Sequence, residues 1–202
     1  MGGIELPGGP PFAIRGRLLT PLGGEAFRHE VDGLVVVDEA GRIAWAGAAG
    51  DRTDMLAAAI DVRPWAILPG LVDLHAHLPQ LPNAGIGAGL HLLDWLERYI
   101  FPLERGWADP AVAERVSAAA FRALARVGTT TTLAYGAVFE AAMDAAFRAA
   151  EAHGIRAILG KVMMDRLTYD PTIEPTAILE RSLRETSDLI GRWHGAADGR
   201  LG

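Results

Sequence analysis

The chain has 202 residues, half of them hydrophobic and 22% charged, which supplies a core for one globular domain or a domain and a half. Its net charge of −6, with no basic patch, argues against a nucleic-acid partner. Cysteine is absent, which excludes a disulfide framework and a thiolate metal site and fits a reducing, cytoplasmic setting.

The first residues, Met1-Gly2-Gly3-Ile4-Glu5-Leu6-Pro7, lack the basic start and apolar core of a signal peptide. No apolar stretch approaches the ~20 residues that span a bilayer, so a soluble protein without a membrane partner is expected. From Pro10 to about Val62 the pattern is short strands joined by turns. Phe12 to Leu19 is a first run and Gly33-Leu34-Val35-Val36-Val37 a second. Asp38-Glu39-Ala40-Gly41 is a turn leading into Arg42-Ile43-Ala44-Trp45-Ala46, which makes a hairpin. Gly50-Asp51 closes the unit, and Asp54 to Ile60 predicts a short helix. His29 reads as a surface histidine. Residues 1–65 are therefore assigned to an N-terminal β-rich domain and 66–202 to a second one.

The second part opens on Leu68-Pro69-Gly70-Leu71-Val72-Asp73-Leu74-His75-Ala76-His77-Leu78-Pro79-Gln80. Side chains of a strand alternate faces with a period of two, so His75 and His77 point the same way. Two neutral imidazoles side by side at a strand end can hold one divalent metal, although such a pair also arises by chance. About thirty residues then separate His77 from the next helix start, against the 2–6 usual for a strand-to-helix loop. Loops of that length carry function or add a packing contact. The apolar part of this loop, Leu90 to Phe101, is expected to cover the metal and exclude water.

Asp109-Pro110 is a helix start, with Asp as the cap and Pro in the first turn. Ala111 to Val127 follows at helical spacing until Gly128, and Thr129 to Tyr135 is a strand. Phe139 to His153 is a second helix stopped by Gly154. Ile155 to Met164 is a third strand, and Pro175 opens a third helix running to about Trp193. Strands alternating with helices predict a parallel sheet with right-handed crossovers.

The run Pro69-Gly70-Leu71-Val72-Asp73-Leu74-His75-Ala76-His77 resembles the first barrel strand of the amidohydrolase superfamily. His77-Leu78-Pro79-Gln80, Pro82-Asn83-Ala84-Gly85-Ile86-Gly87, Leu92-Leu93-Asp94-Trp95-Leu96 and Phe101-Pro102-Leu103-Glu104 are similar to segments of its guanine deaminases. Gly128-Thr129-Thr130-Thr131-Thr132 and Gly160-Lys161-Val162-Met163-Met164-Asp165 fall where those enzymes carry comparable runs; His91 departs from their pattern. The resemblance implies an α/β fold, an incomplete TIM-type (β/α)8 barrel of about three βα units preceded by a small β-rich domain. It implies one catalytic Zn2+ with His75 and His77 as two of its ligands, and Gln80 and Trp95 against a purine base. The remaining ligands and the acid/base glutamate are expected beyond Gly202, so this chain is expected to be an N-terminal fragment, inactive alone.

A catalytic zinc takes three protein ligands and a water whose pKa it brings to ~7. Attack on a base bearing an exocyclic amine, with a carboxylate moving the proton, is hydrolytic deamination: guanine to xanthine and ammonia. Gln80 suits the mixed donor and acceptor edge of guanine, and reads equally as a loop glutamine. Trp95 lines the pocket or belongs to the core. His153 and His194 lie near helix ends, and Asp165 is placed at the end of the third strand without a ligand role. Two other readings stay open: another aromatic-base aminohydrolase of the superfamily, or a non-catalytic truncated module. The resemblance also implies a homo-oligomeric parent.

Overall fold

The computed structural model describes residues 7–165 and 168–202, so Met1–Leu6, read above for a signal peptide, lie outside the described residues. The chain forms two compact units, Met1–Pro69 and Gly70–Gly202.

The first unit is a four-stranded sheet of β1 (Phe12–Gly23), β2 (Ala26–Val37), β3 (Ile43–Ala48) and β4 (Ile60–Ile67). The spatial order is β3-β2-β1-β4, antiparallel except for the parallel β1–β4 pair. Leu34 and Val36 join Ala13 and Ala49 in one buried cluster, while Val35 and Val37 join Leu18 in another. Both faces of β2 are thus covered, which explains its uninterrupted apolar run. The turn between β2 and β3 is held by Asp38, whose Oδ1 accepts from the backbone N–H groups of Ala40 and Arg42.

Two expectations are corrected here. The helix expected over Asp54–Ile60 is a kinked 3-10 segment at Ala49–Ala58, and Ile60 instead begins β4, a strand the sequence reading lacked. β1 and β2 also extend several residues further, because their distal halves, with Leu22, Phe27 and Val31 exposed, carry no burial pattern to read.

The second unit has a three-stranded parallel sheet of β5 (Leu71–His77), β6 (Thr129–Tyr135) and β7 (Arg156–Gly160), in that spatial order. Between β5 and β6 the chain forms a 3-10 turn (Leu78–Asn83), α1 (Leu92–Trp95), a π-helical turn (Leu96–Ile100), α2 (Phe101–Gly106) and α3 (Pro110–Arg126). α4 (Glu140–His153) joins β6 to β7, and α5 (Ile178–Trp193) follows β7. Leu201 forms a parallel bridge with Ala157, and Leu159 N–H donates to the Gly202 carbonyl at 2.8 Å, so residues 200–202 occupy the next strand position beside β7.

Asp109 caps α3 by accepting from Ala111 N–H at 2.9 Å, and Gly154 ends α4 in the left-handed conformation at φ 83°. Ala113, Ser117, Ala120 and Phe121 of α3 face Ala142, Met143, Ala146 and Phe147 of α4 across one buried core. The third strand ends at Gly160 rather than Met164, so Asp165 lies beyond it and not at its end. Helix α5 buries Ile178, Ser182, Glu185 and Leu189, an amphipathic stripe with one carboxylate in it. That carboxylate meets Lys161 at 3.3 Å and Arg181 at 2.6 Å. No helix among the described residues is long and apolar enough to cross a membrane.

Candidate active site

The site is built at the C-terminal end of β5. His75 and His77 stand on one side of the strand, with ring centroids 5.2 Å apart and planes inclined by 67°. Pairing between β5 and β6 shifts register between Asp73 and Ala76. There the His75 N–H turns to its own strand and donates to Asp73 Oδ1 at 3.0 Å. Irregular pairing of this kind re-aims side chains at strand ends. His75 is exposed and His77 half-buried. Burial, and then the neighbouring His75, hold the His77 imidazole below its ordinary pKa, against the pull of Glu104. His77 is accordingly neutral near pH 7, the form that ligates a metal.

The sequence reading missed Tyr135. It is the register partner of His77 across the sheet, and its ring stacks on the His77 ring at 4.8 Å and meets His75 at 5.8 Å. Which residue of β6 falls beside His77 is set by strand register, for which the local sequence carries no signal. The aromatic ring limits the rotamers open to both imidazoles.

Gln80 sits in the 3-10 turn that follows β5, and its Nε2 lies 3.1 Å from His77 Nδ1 and 2.9 Å from Glu104 Oε1. Glu104 is 6% exposed, between the fully buried Ile100 and Trp107 of the same helical stripe. Sequence reasoning gave it no role, although an acid at i+4 from one apolar core position and three before the next is itself a signal of a buried, partnered carboxylate. Burial, followed by the charge of Glu104, pushes the Tyr169 phenol well above its ordinary pKa. The Glu104 carboxylate, as a hydrogen-bond acceptor for the Tyr169 hydroxyl, adds to that rise.

Trp95 is brought to the same place by a loop of tight turns. Its indole N–H donates to the Ile86 carbonyl at 3.0 Å, and Asn83 Nδ2 donates to the Tyr99 carbonyl at 3.2 Å. Gly87 has φ 83°, and a Cβ there would approach Trp95 Cδ1 to 2.5 Å. Gly87→Ala is expected to cost about 1–2 kcal/mol for the left-handed backbone alone and to push the indole aside. A lowered thermal midpoint together with a shifted Trp95 fluorescence maximum checks this.

Asp73, His75, His77, Gln80, Ile86 and Trp95 together line one cavity of about 290 Å3. That is at the lower end of small-molecule sites, which begin near ~300 Å3. Asp165 is not among its lining residues. The expectation that Leu90–Phe101 covers the metal is corrected: Leu92 and Leu93 are 65% and 70% exposed, and from that segment only Trp95 reaches the cavity. The π-helical turn at Leu96–Ile100 changes the helical phase, sending Ile100 inward while Leu92 and Leu93 face out. Among the described residues, no group of three or more His, Cys, Asp or Glu side chains is placed to hold a metal. Two imidazoles facing one cavity fit two places in a zinc ligand set and leave the others to be supplied.

The Amidohydrolase family matches residues 66–201, which contain all these groups. The guanine deaminase of Escherichia coli (strain K12) is 38% identical over 179 residues, covering 87% of this chain. The chain spans 39% of that relative's length. The solved structure of E. coli guanine deaminase superimposes with a TM-score of 0.82 at 36% identity, over 94% of this chain and 45% of the other. A guanine deaminase from C. acetobutylicum, solved with guanine in its active site, gives 0.81 at 28% identity, over 95% of this chain and 45% of the other.

Proposed function

We propose that this chain, which belongs to the amidohydrolase family, is the N-terminal part of a zinc-dependent guanine deaminase and supplies its first metal ligands and part of its base pocket. The parallel sheet with residues 200–202 at the next strand position supports reading it as the opening three βα units of a (β/α)8 barrel, after a small β-rich domain. The observation that carries the functional reading is the convergence of His75, His77, Gln80 and Trp95 on one cavity at the C-terminal end of β5. Barrel enzymes place their chemistry at that end of the strands. The reading includes a cytoplasmic, homo-oligomeric parent acting on a small base.

His75 and His77 would hold the metal, and Tyr135 would keep both rings in position. When bound, the metal supplies a water acidic enough to act as nucleophile at neutral pH. The chain's own residues do the rest of what is placed here. Trp95, hydrogen-bonded to the Ile86 carbonyl, offers an aromatic wall to a planar base and excludes water from that side. Gln80 offers polar contact to the base edge beside the metal ligands. The acid/base carboxylate belongs to the remaining part of the enzyme.

The test is Gln80→Ala in the whole protein that carries this segment. An unpaired buried polar group costs about 1–3 kcal/mol, so kcat/KM for guanine is expected to fall about tenfold to a few hundredfold. Metal content should be unchanged. Wild-type efficiency in that variant would remove the support for guanine, and a panel of guanine, amino-triazines and cytosine would then identify the base.

A further inference from the structure

Asp73 is an unusual residue to meet inside a strand, because its short carboxylate competes for backbone N–H groups and is depleted there. Its place coincides with a break in the pairing. Asp73 stands opposite Thr132 and Ala76 opposite Ala134, so three residue steps on β5 answer two on β6. β5 therefore carries one extra residue between them, a bulge, and Leu74 and His75 have no register partner on β6. Asp73 Oδ1 accepts from the His75 backbone N–H at 3.0 Å and fastens the bulge from within the strand. A bond from an Asp side chain to the N–H two residues on is the local pattern that Asp and Asn favour.

The bulge decides which way the histidines face. Were pairing regular from Asp73 onward, His75 would stand opposite Ala134 and Ala76 opposite Tyr135. Ala134 is fully buried in the core shared with α3 and α4, so that register would turn His75 into the core. The extra residue instead puts Ala76 opposite Ala134, within that core, and His77 opposite Tyr135. Both imidazoles are left on the cavity, with ring centroids 5.2 Å apart.

We propose that Asp73 is a positioning residue for the metal: through the His75 N–H it holds the bulge that keeps His75 and His77 out of the core and aimed at one point. This rests on the metal-hydrolase part of the reading above and adds to it a residue that acts through the backbone of a ligand. Asp73 also lines the cavity, but among the described residues it completes no group of three His, Cys, Asp or Glu placed to hold a metal. What it supplies is an acceptor oxygen at the right reach; its charge is not required.

The experiment measures the zinc affinity of the whole protein that carries this segment, by competition with a chelator. Asp73→Ala removes the acceptor and should weaken zinc about tenfold to a hundredfold, the usual cost of losing a group that orients a metal ligand. Asp73→Asn keeps a carbonyl oxygen at the same reach and should bind zinc within about threefold of wild type. Asp73→Glu keeps the charge but not the reach, and should resemble Asp73→Ala. Wild-type affinity in Asp73→Ala overturns the proposal. So does an Asp73→Asn variant as weak as Asp73→Ala, which would make the carboxylate a ligand in its own right.

A second measurement needs no metal and identifies a variant that fails through folding. In the metal-free protein, hydrogen exchange of the His75 backbone amide should be about tenfold or more faster in Asp73→Ala than in wild type or Asp73→Asn, with the amides of α3 and α4 unchanged. Equal exchange at His75 in all three overturns the proposal, and so does faster exchange throughout α3 and α4, which would assign Asp73 to general stability. A wild type that binds no zinc fails the metal reading itself, before any variant is compared. A wild type that binds zinc, shows the expected variant pattern and does not deaminate guanine leaves the proposal standing and rejects the substrate reading instead.

Discussion

Replacing His77 with alanine in the whole protein is expected to remove metal and turnover together. The variant should lose bound zinc by elemental analysis, and kcat/KM for guanine should fall by about a thousandfold or more, because water at its ordinary pKa is no substitute for an acidified one. His75→Ala should do the same. The two rings share one cavity and are both braced by Tyr135. Asp73, the carboxylate that shares the cavity lining with them, accepts from the His75 backbone N–H through its Oδ1. Retention of stoichiometric zinc in either variant would mean that the metal is held elsewhere. The contrast with Gln80→Ala is diagnostic, since that change should leave the metal and affect only the substrate.

The second large effect is on stability. Glu185→Ala should destabilise the protein by about 3–5 kcal/mol, because it leaves the Lys161 ammonium buried without its counter-charge. The Lys161 side chain is 1% exposed and that of Glu185 7%, with Nζ to Oε2 at 3.3 Å. Arg181 also donates to Glu185, but its side chain is 36% exposed and can return to water, whereas Lys161 cannot. The double replacement Lys161→Met/Glu185→Leu should recover most of the loss, as apolar side chains of similar size often replace a buried pair at little cost. Urea unfolding of the wild type, the single and the double variants measures both terms. A single variant within about 1 kcal/mol of wild type would show that water reaches Lys161.

The local sequence determined much of this protein. The period of two in Leu71–His77 puts both imidazoles on one side of a strand, whatever the rest of the chain does. Asp109-Pro110 and Gly154 specify a helix start and a helix stop through backbone chemistry that acts within a few residues. The alternation of strand and helix after Ala66 is enough for a parallel sheet, because a parallel pair needs a crossover of that length.

Only the tertiary structure decided the rest, and the reason is distance along the chain. Tyr135 reaches His77 through strand pairing across 58 positions, a register that no local pattern reports. β4 went unread because it is a mostly exposed edge strand, where burial periodicity is weak. The loop between β5 and α3 was read as a single apolar cover, but a π-helical turn sets the phase of that segment and exposes Leu92 and Leu93. Glu104 is the clearest case. In sequence it is one acid among several; it is the fold that buries it, brings it to Gln80 from 24 residues away and gives it the donor a buried carboxylate requires.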